Sequence, residues 1–254
     1  MIKKVLIILS FVFISSSVFA FEPGTFFLYP YFAMGDSDCS YSALSGSDFR
    51  NYLVSQGNSY AGLQNSESSG FDWFWSVGAE CDYFLSDSTS FIFGLSVEKT
   101  SNTIVYKYKF SFSDPNPRYD VEFKFNSVSL AAPAGLRYYF WDILVLGGGL
   151  YLGAPISSKL TVTNKPFFSL TDPETSETVK LGFLPRVGFF IDIGLFYELF
   201  DPFGVLEIHK IRNNITVFFR YRKDLTPAYK KTDVISDVKG RAIICMVSYG
   251  FNLN

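Results

Sequence analysis

The charged residues with the clearest chemical potential lie on the polar side of segments in which apolar and polar residues alternate. Alternation with a period of two is typical of a β-strand whose two faces meet different surroundings. Charges held away from bulk water must pair or become neutral. A near-balanced set predicts a salt-bridged, plugged interior, and a narrow polar conduit built from the same residues is the alternative. The set comprises Glu80, Asp82, Glu98, Asp192 and Glu198 with Arg137, Arg186, Arg220 and Arg222.

Catalytic or metal chemistry finds little support in the sequence. Serine or aspartate hydrolases normally need a histidine beside the reacting group. The chain has a single histidine, His209, in the link after the sixth predicted strand, and no serine has a histidine within plausible reach. No Cys-x-x-Cys or Cys/His spacing favours a metal site. We therefore expect no enzyme activity, no cofactor and no metal.

About eight β-strands are predicted to position the charges. The clearest pair of predicted strands runs from Val128 to Ala154, where two stretches of alternating residues meet at the short corner Trp141-Asp142. Arg137 lies opposite the apolar face of the first stretch, and glycines lie opposite that of the second. The apolar face of the first stretch holds Val128, Leu130, Ala132, Ala134, Leu136, Tyr138 and Phe140.

The connections between the strands are predicted to be short at one end and long at the other. Turns after the second, fourth and sixth strands are short or fairly short, whereas those after the odd-numbered strands are long and polar. This asymmetry is typical of bacterial outer-membrane barrels. With an even number of strands, both termini lie at the short-turn end. The long loops are predicted at residues 36–70, 113–120, 161–180 and 224–240.

The alternation changes phase in the third and fourth strands. Apolar residues move to even positions after Glu98, and a matching change precedes Val128. A slip of one residue would exchange the faces. We therefore expect a hairpin over Thr103–Phe125 that extends beyond the membrane, with one shared bulge level and the turn Asp114–Pro117 at its tip. Two unrelated irregularities remain the alternative.

The N-terminus has the features of a cleavable export signal. Lys3 and Lys4 precede an apolar core that is too short to span a bilayer, and Val18-Phe19-Ala20 offers small residues where a signal peptidase cleaves. We expect residues 1–20 to be removed, which leaves 21–254 as a single barrel domain. The net charge of -2 implies no nucleic-acid partner.

The apolar face is predicted to point outward into lipid. Aromatic residues make up 19% of the chain, with 29 Phe and 16 Tyr. A soluble calyx would turn these residues inward, but an eight-stranded barrel has little room inside. A water-facing exterior would also carry many Lys and Glu. The sequence therefore predicts an all-β fold, a closed antiparallel up-and-down transmembrane β-barrel, with Trp73, Trp75 and Trp141 at the membrane interfaces.

The chain has three cysteines. Cys39 is predicted in a Ser/Gly-rich loop, whereas Cys81 and Cys245 lie on apolar strand faces. We interpret the latter two as small apolar residues rather than as a disulfide or a metal-binding pair.

Several strand sequences together resemble a known family. SLAAPAGLRYYF and ILVLGGGLYLGAPISSKL are followed by RVGFFIDIGLFYEL, VFFRYRKDL and IICMVSYGFNL. Over Phe71–Leu253 this pattern resembles the small outer-membrane β-barrel domains of the OmpX/OmpW/PorT-like kind. The resemblance implies a bacterial outer-membrane location and a role in adhesion, loop-mediated interaction or small-molecule passage. Such barrels commonly end on an aromatic residue that the insertion machinery reads, whereas this chain continues past Phe251.

The leading functional hypothesis is a non-enzymatic, monomeric barrel in membrane lipid. Its extracellular loops would give it a structural or surface-interaction role, with an extracellular partner bound through the four long loops. The alternative is a narrow channel for small solutes across the outer membrane. The fold alone does not choose between them.

Overall fold

The computed structural model describes most of the chain after the export signal. The described residues are 21–42, 62–68, 72–109, 118–140, 143–166, 175–180, 184–198, 214–227 and 236–253. The export signal, the corner Trp141-Asp142, the tip Asp114–Pro117 and His209 all lie outside them. Among the described residues, no helix is long and apolar enough to cross a membrane.

The described secondary structure is β-strand. The strands are β1 (Phe26–Ser42), β2 (Gly62–Ser68), β3 (Asp72–Phe84), β4 (Thr89–Lys109), β5 (Arg118–Phe140), β6 (Leu144–Pro166), β7 (Thr175–Lys180), β8 (Arg186–Glu198), β9 (Asn214–Asp224) and β10 (Ser236–Asn252). All but β2 have the alternation or the β-branched and aromatic content that favours a pleated strand. The polar segment β2 is a strand through its pairing with β4.

Eight of these strands form a closed antiparallel ring. The order is β1-β3-β4-β5-β6-β8-β9-β10, and β10 pairs with β1 to complete it. Closure leaves the ring without a free edge. The short strands β2 and β7 lie outside the ring, where β2 pairs with β4 and β7 pairs with β6. The predicted all-β, eight-stranded closed barrel is confirmed.

The two faces of the ring point as predicted. On β8, Ile191, Ile193 and Leu195 are exposed on the outer surface, with Leu195 60% exposed, whereas the alternate residues Phe190 and Asp192 are buried in the lumen. The same alternation runs along the neighbouring strands β6 and β9. The exterior is therefore apolar and the lumen holds the charges.

The predicted exchange of faces in β4 and β5 is wrong. These strands pair in one unbroken register from Ser96 opposite Ala131 to Lys109 opposite Arg118. Phe123 lies on the same inward face as Ser127 and Ser129, which are nearer the membrane. The backbone phase is constant, and the polarity of the surroundings inverts instead. Within the membrane the apolar side chains point outward, whereas above it they point inward.

An irregularity does occur at this level, but it lies in β6. Val128 pairs with Ser157 and Ser129 pairs with Pro155, so Ile156 is an extra residue in the ladder. Beyond this bulge the β6 phase shifts: Lys159 is exposed and Leu160 is buried. The bulge therefore lets β6 follow the change from lipid to water.

The predicted long loops are partly strand. Residues 36–42 belong to β1, 62–68 form β2, and 118–120 begin β5. Residues 161–166 end β6, 175–180 form β7, and 236–240 begin β10. The outward face of these segments meets water and is polar, so they lack the apolar outward face that predicts a membrane strand.

Cys39 accordingly lies buried in β1 rather than in a loop, and the three cysteines are free thiols. Cys81 and Cys245 lie on the outward faces of β3 and β10, as the sequence predicted.

The inversion of polarity along β6 is directly testable. Leu150 is exposed on the outer face below the bulge, and Thr161 lies on the outer face above it. We expect Leu150→Arg to destabilise the folded barrel in lipid vesicles by about 2 kcal/mol or more, because the charge enters hydrocarbon. Thr161→Arg should change stability by less than about 0.5 kcal/mol, because the side chain remains in water. Denaturant titration followed by the gel shift between folded and unfolded forms measures both. Equal effects would contradict the membrane boundary at Ile156.

Candidate functional site

The lumen contains a lower ionic layer, defined by Glu80, Asp82, Arg137, Asp192 and Arg220. Arg137 on β5 donates from Nη1 to Asp82 Oδ1 at 2.9 Å and from Nη2 to Asp192 Oδ2 at 3.2 Å, and it also donates to Glu80. Arg220 on β9 donates from Nε to Asp192 Oδ1 at 2.7 Å and from Nη1 to Glu80 Oε1 at 2.7 Å. Two arginines thus join three acids from two strands, and every one of these side chains is buried.

An upper ionic layer lies closer to the outer mouth and consists of Glu98, Arg186, Arg222 and Asp224. Arg222 donates to Glu98, and Arg186 lies 4.0 Å from Glu98 and 3.8 Å from Asp224. Arg186 also donates to the Ser129 hydroxyl. The two ion-pair distances of Arg186 are longer than those of the lower layer, so this residue is held less tightly than Arg137 or Arg220.

Glycines on the lumenal face make room for the arginines. A Cβ added at Gly147 would lie 2.8 Å from Arg137 Cγ, and one at Gly153 would lie 3.2 Å from Arg186 Nε. Both contacts are tighter than a Cβ normally makes. The glycine-rich β6 therefore lets two guanidinium groups cross an interior that is otherwise filled by side chains.

Aromatic rings share the lumen with the charges. The Arg137 guanidinium lies 4.2 Å from the centre of the Phe218 ring, and that of Arg220 lies 4.4 Å from the centre of the Phe190 ring. Arg222 lies over Tyr151 at 4.2 Å. Cation–π contacts of this kind stabilise a desolvated cation by about 2 kcal/mol. Large aromatic residues therefore lie in the lumen as well as on the exterior predicted for them from the sequence.

The structure brings eight of the nine sequence-predicted residues into these two layers. Glu198 is the exception: its backbone pairs with Asn214, and its side chain lies outside the described part of the chain. Sequence reasoning missed Asp224, which it assigned to a polar loop although it continues the spacing of Arg220 and Arg222. It also missed Tyr139, whose hydroxyl donates to Asp82 Oδ2 at 2.5 Å.

The described lumen leaves little open space. One cavity of about 10 Å³ lies between the layers against Tyr31, Glu98 and Arg220. Another of about 10 Å³ lies against Thr100, Arg186 and Asp224. Each has room for about one water molecule. Among the described residues, no group of three or more His, Cys, Asp or Glu side chains could hold a metal ion.

The exterior defines an apolar belt around the ring. Leu152 is 61% exposed, Ile243 62% and Leu195 60%, on three different strands. An apolar surface of this extent is stable in hydrocarbon rather than in water. The only spanning structures that satisfy every backbone group in a bilayer are helices and closed barrels. The protein is a transmembrane β-barrel.

Charged side chains mark the outer edge of the belt. Arg241 donates from Nε to Asp38 Oδ2 at 2.9 Å, and Lys223 lies directly opposite Arg241 on β9. Trp73, 73% exposed, and Trp75 lie on the outward face at this end of β3. Both positions suit the membrane interface, where indole rings are enriched.

Comparison with solved structures finds similar small barrels. Ail, the attachment invasion locus protein of Yersinia pestis, matches at 12% identity over 91% of this chain and 100% of its own, with a TM-score of 0.39. The outer membrane protein OprG of Pseudomonas aeruginosa matches at 13% identity over 92% and 98%, with a TM-score of 0.36. The outer membrane protease OmpT of Escherichia coli matches at 8% over 94% and 100%, with a TM-score of 0.36.

No protein-family model and no curated protein matches the sequence. At TM-scores of 0.39 and below, these structural matches carry no argument about this chain. The fold assignment rests on the closed strand pairing of this chain.

The lower ionic layer should make the barrel depend strongly on Arg137. Arg137→Met leaves Glu80 and Asp192 with Arg220 and leaves Asp82 with the hydroxyls of Tyr139 and Ser90 in place of a cation. We therefore expect a loss of about 3–5 kcal/mol in the free energy of unfolding. Arg241→Met, which breaks the exposed pair with Asp38, should cost less than about 1 kcal/mol. Denaturant titration in lipid vesicles measures both.

A double variant separates unpaired charge from lost packing. Adding Asp82→Asn to Arg137→Met removes one unpaired acid, and we expect part of the stability to return. A double variant that is no more stable than Arg137→Met alone would show that packing, not charge, carries the effect.

Proposed function

We propose that this protein is a non-conducting, non-enzymatic barrel that presents an extracellular β-sheet as an interaction surface. The observation that carries the proposal is the length of three strands. β4 has 21 residues, and β5 and β6 have 23 each. A transmembrane strand needs about 9–11 residues. Roughly half of each strand therefore extends beyond the bilayer.

The extended parts form a sheet of their own, which we call the outer sheet. Its strand order is β2-β4-β5-β6-β7, with all pairs antiparallel. Its inward face is apolar: Ile104, Val121 and Phe123 have no exposed surface. A buried apolar face gives the sheet the means to hold a fixed shape above the membrane.

The other face of the outer sheet is polar and accessible. Glu122, Lys124 and Thr161 are partly exposed, and Lys159 and Thr178 are exposed. Threonine rows and mixed charge on a rigid sheet suit recognition of a polar or charged partner at the cell surface. The extracellular partner predicted from the long loops is therefore proposed to bind the outer sheet as well.

The packed lumen supports the non-conducting part of the proposal. The two ionic layers and their aromatic neighbours fill the described lumen at their level, and the two cavities beside them, of about 10 Å³ each, are too small for a hydrated ion. The lumenal acids are engaged by arginines, which leaves them poorly suited to act as a general base. Ring closure also supports a monomer in membrane lipid, because the ring itself has no unpaired edge.

Truncation of the outer sheet tests the interaction role. Asn102 and Phe125 are directly opposite, so replacing residues 103–124 with Asn-Gly shortens the hairpin without disturbing the ring. Lys109 and Arg118 are also opposite, so replacing residues 110–117 with Asn-Gly removes the tip and keeps the sheet. The readout is binding of expressing cells to a panel of immobilised matrix proteins and polysaccharides.

We expect wild-type cells to bind above vector controls, the 103–124 variant to lose that binding, and the 110–117 variant to keep most of it. Both variants should still show the folded-to-unfolded gel shift. Unchanged binding by the 103–124 variant in a folded barrel would overturn the role of the outer sheet.

Conductance separates this proposal from the channel alternative. In planar bilayers the purified protein should stay at the baseline of protein-free membranes, because the lower ionic layer closes the lumen. Reproducible open events, or solute uptake by protein-containing vesicles above that of empty vesicles, would favour the narrow channel.

A further inference from the structure

The residues before β1 turn back into the short-turn mouth of the barrel. Gly24 has a φ of 87°, a left-handed conformation that suits glycine. Its amide donates to Phe84 O at 2.8 Å, and the Thr25 amide donates to Glu22 O at 3.1 Å. This turn directs Phe21 towards the barrel axis rather than into the periplasm.

Phe21 is bound there by aromatic rings from four strands, which we call the mouth cluster. Its ring stacks on Phe84 at 4.0 Å and lies 5.1 Å from Tyr139, 5.6 Å from Phe196 and 5.8 Å from Phe27. These partners belong to β3, β5, β8 and β1. Because these contacts come from four strands of the barrel, Phe21 lies near the barrel axis, and it is 9% exposed.

The same residue is predicted to follow the signal-peptidase site. Small residues at Val18 and Ala20 favour cleavage after Ala20. In that hydrolysis, water adds across the Ala20–Phe21 peptide bond and leaves a carboxylate on Ala20 and an α-ammonium group on Phe21. The nitrogen of Phe21 lies 3.2 Å from the carbonyl oxygen of Asp87. Cleavage would convert this amide contact into a charge-assisted hydrogen bond, which is roughly twice as strong.

We propose that the mouth cluster and Asp87 form a binding site for the mature N-terminus, and that cleavage between Ala20 and Phe21 completes the periplasmic closure of the barrel. The site takes an N-terminal phenylalanine: the rings bind its side chain and the Ser86–Ser88 turn binds its ammonium group. The proposal is independent of the outer sheet and of any partner bound there.

The test uses the full-length gene expressed with its export signal. Intact mass and N-terminal sequencing of the membrane-extracted protein should show Phe21 as the first residue. The temperature at which the folded gel band is lost should fall by about 5 °C or more for Phe21→Ala. Phe26→Ala is the matched control, because Phe26 contacts Tyr83 and Phe93 at 5.5 and 5.8 Å on the outer face. Its shift should be less than half as large.

Chemical protection of the α-amine provides a second readout. A membrane-impermeant isothiocyanate at neutral pH, mapped by peptide mass, should label the N-terminus of folded wild-type protein at least fivefold more slowly than that of Phe21→Ala. If Phe21→Ala does not fold, Phe21→Leu should show a smaller change in the same direction. An N-terminus at another residue, equal shifts for Phe21→Ala and Phe26→Ala, or unprotected labelling of the wild type would each overturn the proposal.

Discussion

The structure depends on one constraint: a bilayer offers no water to hydrogen-bond with the backbone, so the strands must satisfy each other around a closed ring. Closure of β10 onto β1 meets that requirement. Because alternate side chains of every strand then point inward and outward, closure also separates the chain into a lipid-facing set and a lumenal set. The apolar belt and the two ionic layers are the two results of that single separation.

Burying the lumenal charges costs desolvation free energy, whereas the apolar exterior carries no such cost. Arg137 and Arg220 give up water, and each regains hydrogen bonds to acids and a contact with an aromatic ring. Replacing buried ion pairs with apolar residues is often neutral or stabilising, so the layers are weak evidence for stability alone. Their directional bonds instead fix the positions of β3, β5, β8 and β9 relative to each other across the lumen. This cross-strand specification suits a barrel that stays closed.

The strand faces, the strand number and most of the lumenal charges were predictable from the sequence, because lipid outside and a small lumen inside impose a strong alternation. Prediction failed where the outward face meets water instead of lipid, because the two faces of a strand then differ less in polarity. Asp38 and Thr161 lie in strand extensions whose outer face meets water. The polar sequence around them therefore predicts a loop rather than a strand. Phe123 and Val121 were assigned to a slipped register, because periodicity records polarity and cannot separate a change of phase from a change of solvent. Phe21 lies outside any periodic segment and was recognisable only from its position after the export signal.

The change of solvent along β4, β5 and β6 links the fold to the proposed role. One continuous hydrogen-bonded ladder is a membrane wall at one end and a water-exposed sheet with an apolar underside at the other. A flexible loop would lose conformational entropy on binding a partner, whereas a sheet anchored by its own strands in the ring is already ordered. The bulge at Ile156 allows both ends to present the correct face. The ionic layers and the outer sheet share β4 and β5, because Glu98 and Arg137 lie on strands that continue into the outer sheet.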